Sequence, residues 1–148
     1  MDTEKLLQLL KENDVIFVVI GAAAFPVYGY ARATLDIDIF IKKNVENIKR
    51  TTKALREFGY DLMDLTVNDF MYNKVLIRQY TVEADIHPFV KGITFEEVWT
   101  NRIKGKFGQT DVDFPSIDDM IKMKKAAGRN KDLEDLKYLN ELKRKQKK

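Results

Sequence analysis

Asp36-Ile37-Asp38 places two carboxylates one residue apart in an apolar, alternating stretch. Residues i and i+2 of a strand project from one face about 6 to 7 Å apart, so the two acids can converge on a pair of cations roughly 3.5 to 4 Å apart. Without a cation they repel. Hard carboxylate oxygens suit Mg²⁺ or Mn²⁺, and magnesium takes its remaining ligands from water and from a substrate's phosphates. The chemistry in view is transfer on a nucleotide. A solvated strand face with alternating acids is the plainer explanation of the pair taken alone.

A second stretch, Thr81-Val82-Glu83-Ala84-Asp85-Ile86-His87, alternates in the same way and puts Glu83, Asp85 and His87 on one face. If the two strands are neighbours, Asp85 joins Asp36 and Asp38. Three acids on one sheet face suit a two-metal phosphoryl or nucleotidyl transfer, in which the third also helps to deprotonate an attacking hydroxyl. Glu83 competes for that role, and His87 reads as a structural or rim residue. Gly21-Ala22 supplies a strand-to-helix turn with small side chains, where backbone N–H groups can meet a phosphate; good packing is the bland alternative.

These residues need elements to hold them. Leucines 6, 7 and 10 after Asp2 and Thr3 predict an amphipathic helix, and Val15 to Ile20 a strand buried on both faces. GAAAFPVYGY, from Gly21, reads as a short helix disturbed by Pro26. Leu35 to Ile41 is a second strand, with Leu35, Ile37, Ile39 and Ile41 on one face and Asp36, Asp38 and Phe40 on the other. Asn44 caps a helix to Phe58, closed by Gly59, with Val45, Ile48, Thr52 and Leu55 inward. Residues 60 to 73 carry no clear pattern. Lys74 to Tyr80 and Thr81 to Pro88 predict strands, Phe95 to Trp99 a helical turn, and Ile103 to Phe114 a hairpin broken at Gly108. Ser116 caps a helix ended by Gly128, and Asn130 opens the last. The class is α+β: a mixed, mostly antiparallel sheet with flanking helices and two C-terminal helices.

The chain of 148 residues fits one domain, over 1–142, able to bury roughly two thirds of its unfolded surface. No apolar run approaches the roughly 20 residues of a membrane span, and the N-terminus lacks a basic leader, which predicts a cytoplasmic protein. With no cysteine and one histidine, a metal must be held mainly by oxygen. The net charge of +3 comes from the tail at 143–148, KRKQKK, whose five positive charges leave the rest at −2. Such a run is expected to be disordered and solvated; binding nucleic acid is the alternative.

The spacing Gly21-Ala22, thirteen residues, then Asp36-Ile37-Asp38 resembles the signature of the nucleotidyltransferase superfamily with a DNA polymerase beta-like core. Ala22 stands where that family prefers glycine or serine, which keeps a backbone N–H and loses a hydroxyl. Tyr30-Ala31-Arg32-Ala33-Thr34-Leu35-Asp36 and the segment from Lys124-Lys125-Ala126-Ala127-Gly128-Arg129 to Asp135 are similar to the small bacterial members related to abortive-infection toxins. The likeness spans about residues 15 to 140. It implies that Arg32 and Thr34 neighbour the site and that Lys124 and Arg129 contact nucleotide phosphates. Lys124 lies on the apolar stripe of Ile117, Met120, Ile121 and Ala127, where it can also simply snorkel past the core. Asp132 and Asp135 read as helix-dipole acids, with a salt bridge from Asp132 or Asp135 to Arg129 or Arg32 open.

The implied activity is transfer of a nucleoside monophosphate from an NTP, ATP included, to an acceptor hydroxyl, with Asp36, Asp38 and Asp85 on two Mg²⁺ or Mn²⁺ ions. The acceptor (tRNA, protein or small molecule) is open. The alternative is a catalytically silent nucleotide-binding module with a partner protein, as in a toxin and antitoxin pair.

Overall fold

A computed structural model describes residues 2–21, 23–24 and 36–146. Helix α1, Thr3–Glu12, starts where the Asp2 carboxylate accepts from Lys5 N at 2.8 Å, and it buries Leu6, Leu7, Leu9 and Leu10. Strand β1, Phe17–Ile20, is buried throughout, and Gly21, Ala23 and Ala24 continue it as a tight helical turn. Strand β2 is Asp36–Ile41 and helix α2 is Val45–Phe58, capped by Asn44 and closed by Gly59 at φ 112°. Only glycine enters that left-handed conformation without strain.

Val45 departs from the expected inward stripe and is half-exposed. The inward position of that first turn belongs to Asn47, whose side chain accepts from Ile16 N at 2.7 Å and donates to the Ile16 and Lys42 carbonyls at 2.9 and 2.8 Å. A buried amide thus ties the start of β1 to the end of β2 with its polar atoms satisfied.

Helix α3, Val67–Tyr72, occupies the stretch without a pattern; it is held by a capping box between Thr66 and Asp69. Strands β3, Val75–Ile77, and β4, Glu83–His87, are shorter than the sequence implies. Tyr80, at φ 60°, takes a left-handed conformation that no strand continues through. Helix α4, Phe95–Asn101, is followed by the hairpin β5, Ile103–Phe107, and β6, Thr110–Phe114. Glu4 of α1 holds its turn, accepting from Gln109 N and the Thr110 hydroxyl at 2.9 and 2.8 Å.

Helices α5, Ile117–Ala127, and α6, Asn130–Gln146, close the chain, divided at Gly128. Helix α6 runs four residues into the basic tail that the sequence reads as disordered. Lys143, Arg144 and Lys145 form its last turn, where cations favour the helix dipole, and Lys143 pairs with Asp118 of α5 at 2.6 Å. Among the described residues no helix is long and apolar enough to cross a membrane.

The α+β class is as expected. The main sheet has the order β1-β2-β4-β3, with β1 and β3 antiparallel to their neighbours and β2 parallel to β4. Its two faces have different coverings. Phe17, Val19, Ile37, Ile39, Ala84 and Ile86 belong to the large core with α1, α2 and the hairpin. On the other face Val18, Ile20 and Phe40 pack against Ile93, Phe95 and Val98, with Phe95 edge-on to Phe40 at 5.1 Å. That second cluster covers the Phe40 end of β2 and leaves its Asp36 end accessible.

Candidate active site

Parallel pairing aligns β2 and β4 so that Asp36 lies opposite Glu83, Asp38 opposite Asp85 and Phe40 opposite His87. Side chains directly opposite on paired strands share a face, so this register gathers the acids. Ligand atoms of Asp38, Asp85 and His87 all lie within 4.8 Å of one another. His87 Nε2 is 2.8 Å from Asp38 Oδ1 and holds that carboxylate in place. The histidine that the sequence puts at the rim is therefore part of the cluster.

Gly21 brings the chain out of β1 beside Asp38. Its φ is 70°, and a Cβ on it would stand 2.5 Å from Asp38 Oδ2. Glycine is required there both by conformation and by the close carboxylate.

Arg78, which the sequence analysis passed over, faces the acids from the end of β3. Its Nη1 donates to Asp85 Oδ1 at 2.5 Å, Nε lies 3.4 Å from Glu83 Oε2, and Nη2 lies 3.9 Å from Asp36 Oδ2. The hydrogen bond to Asp85 raises the Arg78 pKa further, against an opposing effect of burial, and the charges of Asp85, Glu83 and Asp36 add to the rise. The missed signal was parity: Leu76 pairs with Asp85, so the residue two further on shares the acidic face.

A cavity of about 530 Å³ opens beside the cluster, with Asp38, His87 and Gly21 on one wall and Lys124, Arg129 and Asp132 on another. Phe89, Val90, Met120 and Met123 make the remainder apolar. Lys124 reaches it from the stripe of α5 and pairs with Asp132 at 3.2 Å and Asp135 at 3.1 Å. Asp132 is fully buried. It accepts from Arg129 N, Nε and Nη2 at 3.1, 2.7 and 3.3 Å. Burial pushes its carboxyl up, but the hydrogen bonds from Arg129 and Lys124 outweigh it and hold the pKa down at about 2. The salt bridge to Arg129 left open by the sequence forms at Asp132; what the dipole interpretation did not give is that Asp132 and Asp135 are both buried and both pair with Lys124.

Of the sequence candidates, Asp38, Gly21, Lys124 and Arg129 line one cavity, and Asp85 stands next to Asp38. Asp36 lies outside the ligand cluster, on the Arg78 side. Ala22, Arg32 and Thr34 lie outside the described residues. Tyr60 is buried against Phe58, and Trp99 stacks on Phe95. Two carboxylates and an imidazole, converging and partly buried, are a donor set that fits one divalent cation.

Residues 2–143 match the family described as "Nucleotidyltransferase of unknown function (DUF6036)". The chain belongs to that nucleotidyltransferase family. A solved structure of the lincosamide antibiotic adenylyltransferase LnuA, lincomycin-bound, is similar with a TM-score of 0.66, at 15% identity, over 96% of this chain and 98% of that one. That likeness establishes a shared fold. No curated protein matches the chain. Nucleotidyl transfer is a chemistry for which divalent cations are usual, and the Asp38, Asp85 and His87 group could hold one.

Proposed function

We propose that the protein is a metal-dependent nucleotidyltransferase that moves a nucleoside monophosphate from an NTP to an acceptor hydroxyl, with release of pyrophosphate. The observation that carries this is the register of β2 against β4, which puts Asp38 and Asp85 side by side next to a cavity whose far wall carries Lys124 and Arg129, each paired with Asp132.

Asp38, Asp85 and His87 would hold the first cation, and Asp36 with Asp85 would serve a second. Mg²⁺ or Mn²⁺ bound there supplies Lewis-acid charge for the phosphates. The Gly21-Ala22 turn, Lys124 and Arg129 take the triphosphate of an NTP such as ATP, with Arg32 and Thr34 as neighbours of the site. Phe89, Met120 and Met123 offer apolar contact to a base. Asp85 takes the acceptor's proton as the hydroxyl oxygen bonds to the α-phosphorus and pyrophosphate leaves.

Small molecule, tRNA end and protein side chain are the acceptor classes to test; the lincomycin bound to the similar LnuA supports the first. Protein incubated with α-labelled NTP, Mg²⁺ or Mn²⁺ and each acceptor class is expected to label one of them. Labelling no greater than that of an Asp36→Ala/Asp38→Ala variant, with every NTP and acceptor, would overturn the catalytic claim.

A further inference from the structure

Arg78 has no place in the activity just described, yet it makes the densest set of charge contacts at the site. The guanidinium spans three carboxylates, Asp85 at 2.5 Å, Glu83 at 3.4 Å and Asp36 at 3.9 Å. Asp85 is the nearly buried one of these, and it is also one of the three residues whose ligand atoms cluster with Asp38 and His87. One carboxylate therefore serves both the arginine and any cation.

From this geometry we infer that Arg78 is a positioning residue that competes with the divalent cation for Asp85. The inference rests on the nucleotidyltransferase reading for the presence of the cation. A cation entering the cluster must share or take the lone pairs that Arg78 holds, against the repulsion of a fixed positive charge. Arg78 is half-exposed at the end of an edge strand, so its side chain has solvent to move into. Its release from Asp85 puts a planar, five-donor cation next to the reacting groups, where it can meet an anionic phosphate. The arginine keeps the acids neutralised and aligned until a cation and a triphosphate replace its contacts together.

The test measures binding of Mn²⁺ alone, by electron paramagnetic resonance of the free ion at constant ionic strength, to the full chain and its variants. Arg78→Gln is expected to bind Mn²⁺ about tenfold more tightly than the parent, a factor equivalent to about 1.4 kcal/mol. Arg50→Gln, which removes an exposed positive charge on α2, is expected to leave affinity unchanged. Asp38→Asn added to Arg78→Gln is expected to abolish the gain.

Unchanged or weaker Mn²⁺ binding by a folded Arg78→Gln protein overturns the competition and leaves nucleotidyl transfer standing. Equal tightening by Arg50→Gln overturns it as well, because net charge would then be the cause. A gain that survives Asp38→Asn places the ion elsewhere and refutes the inference. No Mn²⁺ binding by either parent or Arg78→Gln refutes both the competition and the metal site.

Discussion

Replacing Asp132 by asparagine removes the negative charge at the centre of the Lys124–Arg129 wall while keeping the shape. Held at about 2 against an ordinary 3.8, mainly because hydrogen bonds from Arg129 and Lys124 outweigh burial, the carboxylate favours the folded state by about 2 kcal/mol at neutral pH. Removing one partner from a fully buried pair costs about 3–5 kcal/mol. Here Asp135 still faces Lys124, and Arg129 is more than half exposed, so a loss of about 2–3 kcal/mol is expected. Urea denaturation followed by far-ultraviolet circular dichroism at pH 7 measures it.

The pH dependence supplies the sharper test. In the unfolded chain Asp132 binds its proton near 3.8, whereas in the folded chain it does so only near 2. The contribution is therefore fully present above the unfolded value and is lost as the pH falls through the window between the two. The parent's advantage over Asp132→Asn must shrink as the pH drops from 5 toward 2.5, values chosen to bracket the upper part of that window. A difference under about 0.5 kcal/mol at pH 7, the range of an ordinary surface change, would refute the reasoning. So would a difference that stays constant with pH.

Gly21→Ala adds a Cβ against Asp38 Oδ2 at φ 70°; Mn²⁺ affinity and labelling activity are expected to fall about tenfold or more, with a stability loss of about 1–2 kcal/mol, and unchanged Mn²⁺ binding would count against the proximity of Gly21 to the metal site. Tyr60 donates its hydroxyl to the Val82 carbonyl at 2.5 Å, and burial together with the charge of Glu83 pushes its pKa up to about 12. Because the unfolded chain loses that proton near 10 and the folded chain near 12, stability must fall as the pH rises across this window. Tyr60→Phe should flatten the fall by about 2–3 kcal/mol and cost about 1 kcal/mol at pH 7, both read from urea titrations; parallel curves would refute the assignment.

Local pattern carried a large share of the fold. Alternation sorted Asp36 and Asp38 onto one face of β2 and Glu83, Asp85 and His87 onto one face of β4, and Ser116 and Gly128 marked the limits of α5. The α3 helix escaped because its six residues are too short for a helical stripe and its signal lies in the Thr66–Asp69 cap. Val45 misled because periodicity does not say how far a core extends along a helix. Lys124 on an apolar stripe fits a phosphate contact or a snorkelling side chain, and two aspartates one helix away fit the dipole rule, so neither pattern announces their pairing.

The sequence by itself determined which side chains share a strand face, since a pleat repeats every two residues whatever it pairs with. It could not say that β2 pairs with β4 in parallel, that Asp38 meets Asp85 in register, or that Arg78 lies across three acids. Strand order and register depend on which apolar faces bury together across long separations, and each such closure brings distant charges within reach of one another. Only the assembled sheet, with Phe40 covered by α4 and the Asp36 end left accessible, turned a pattern of acids into a site.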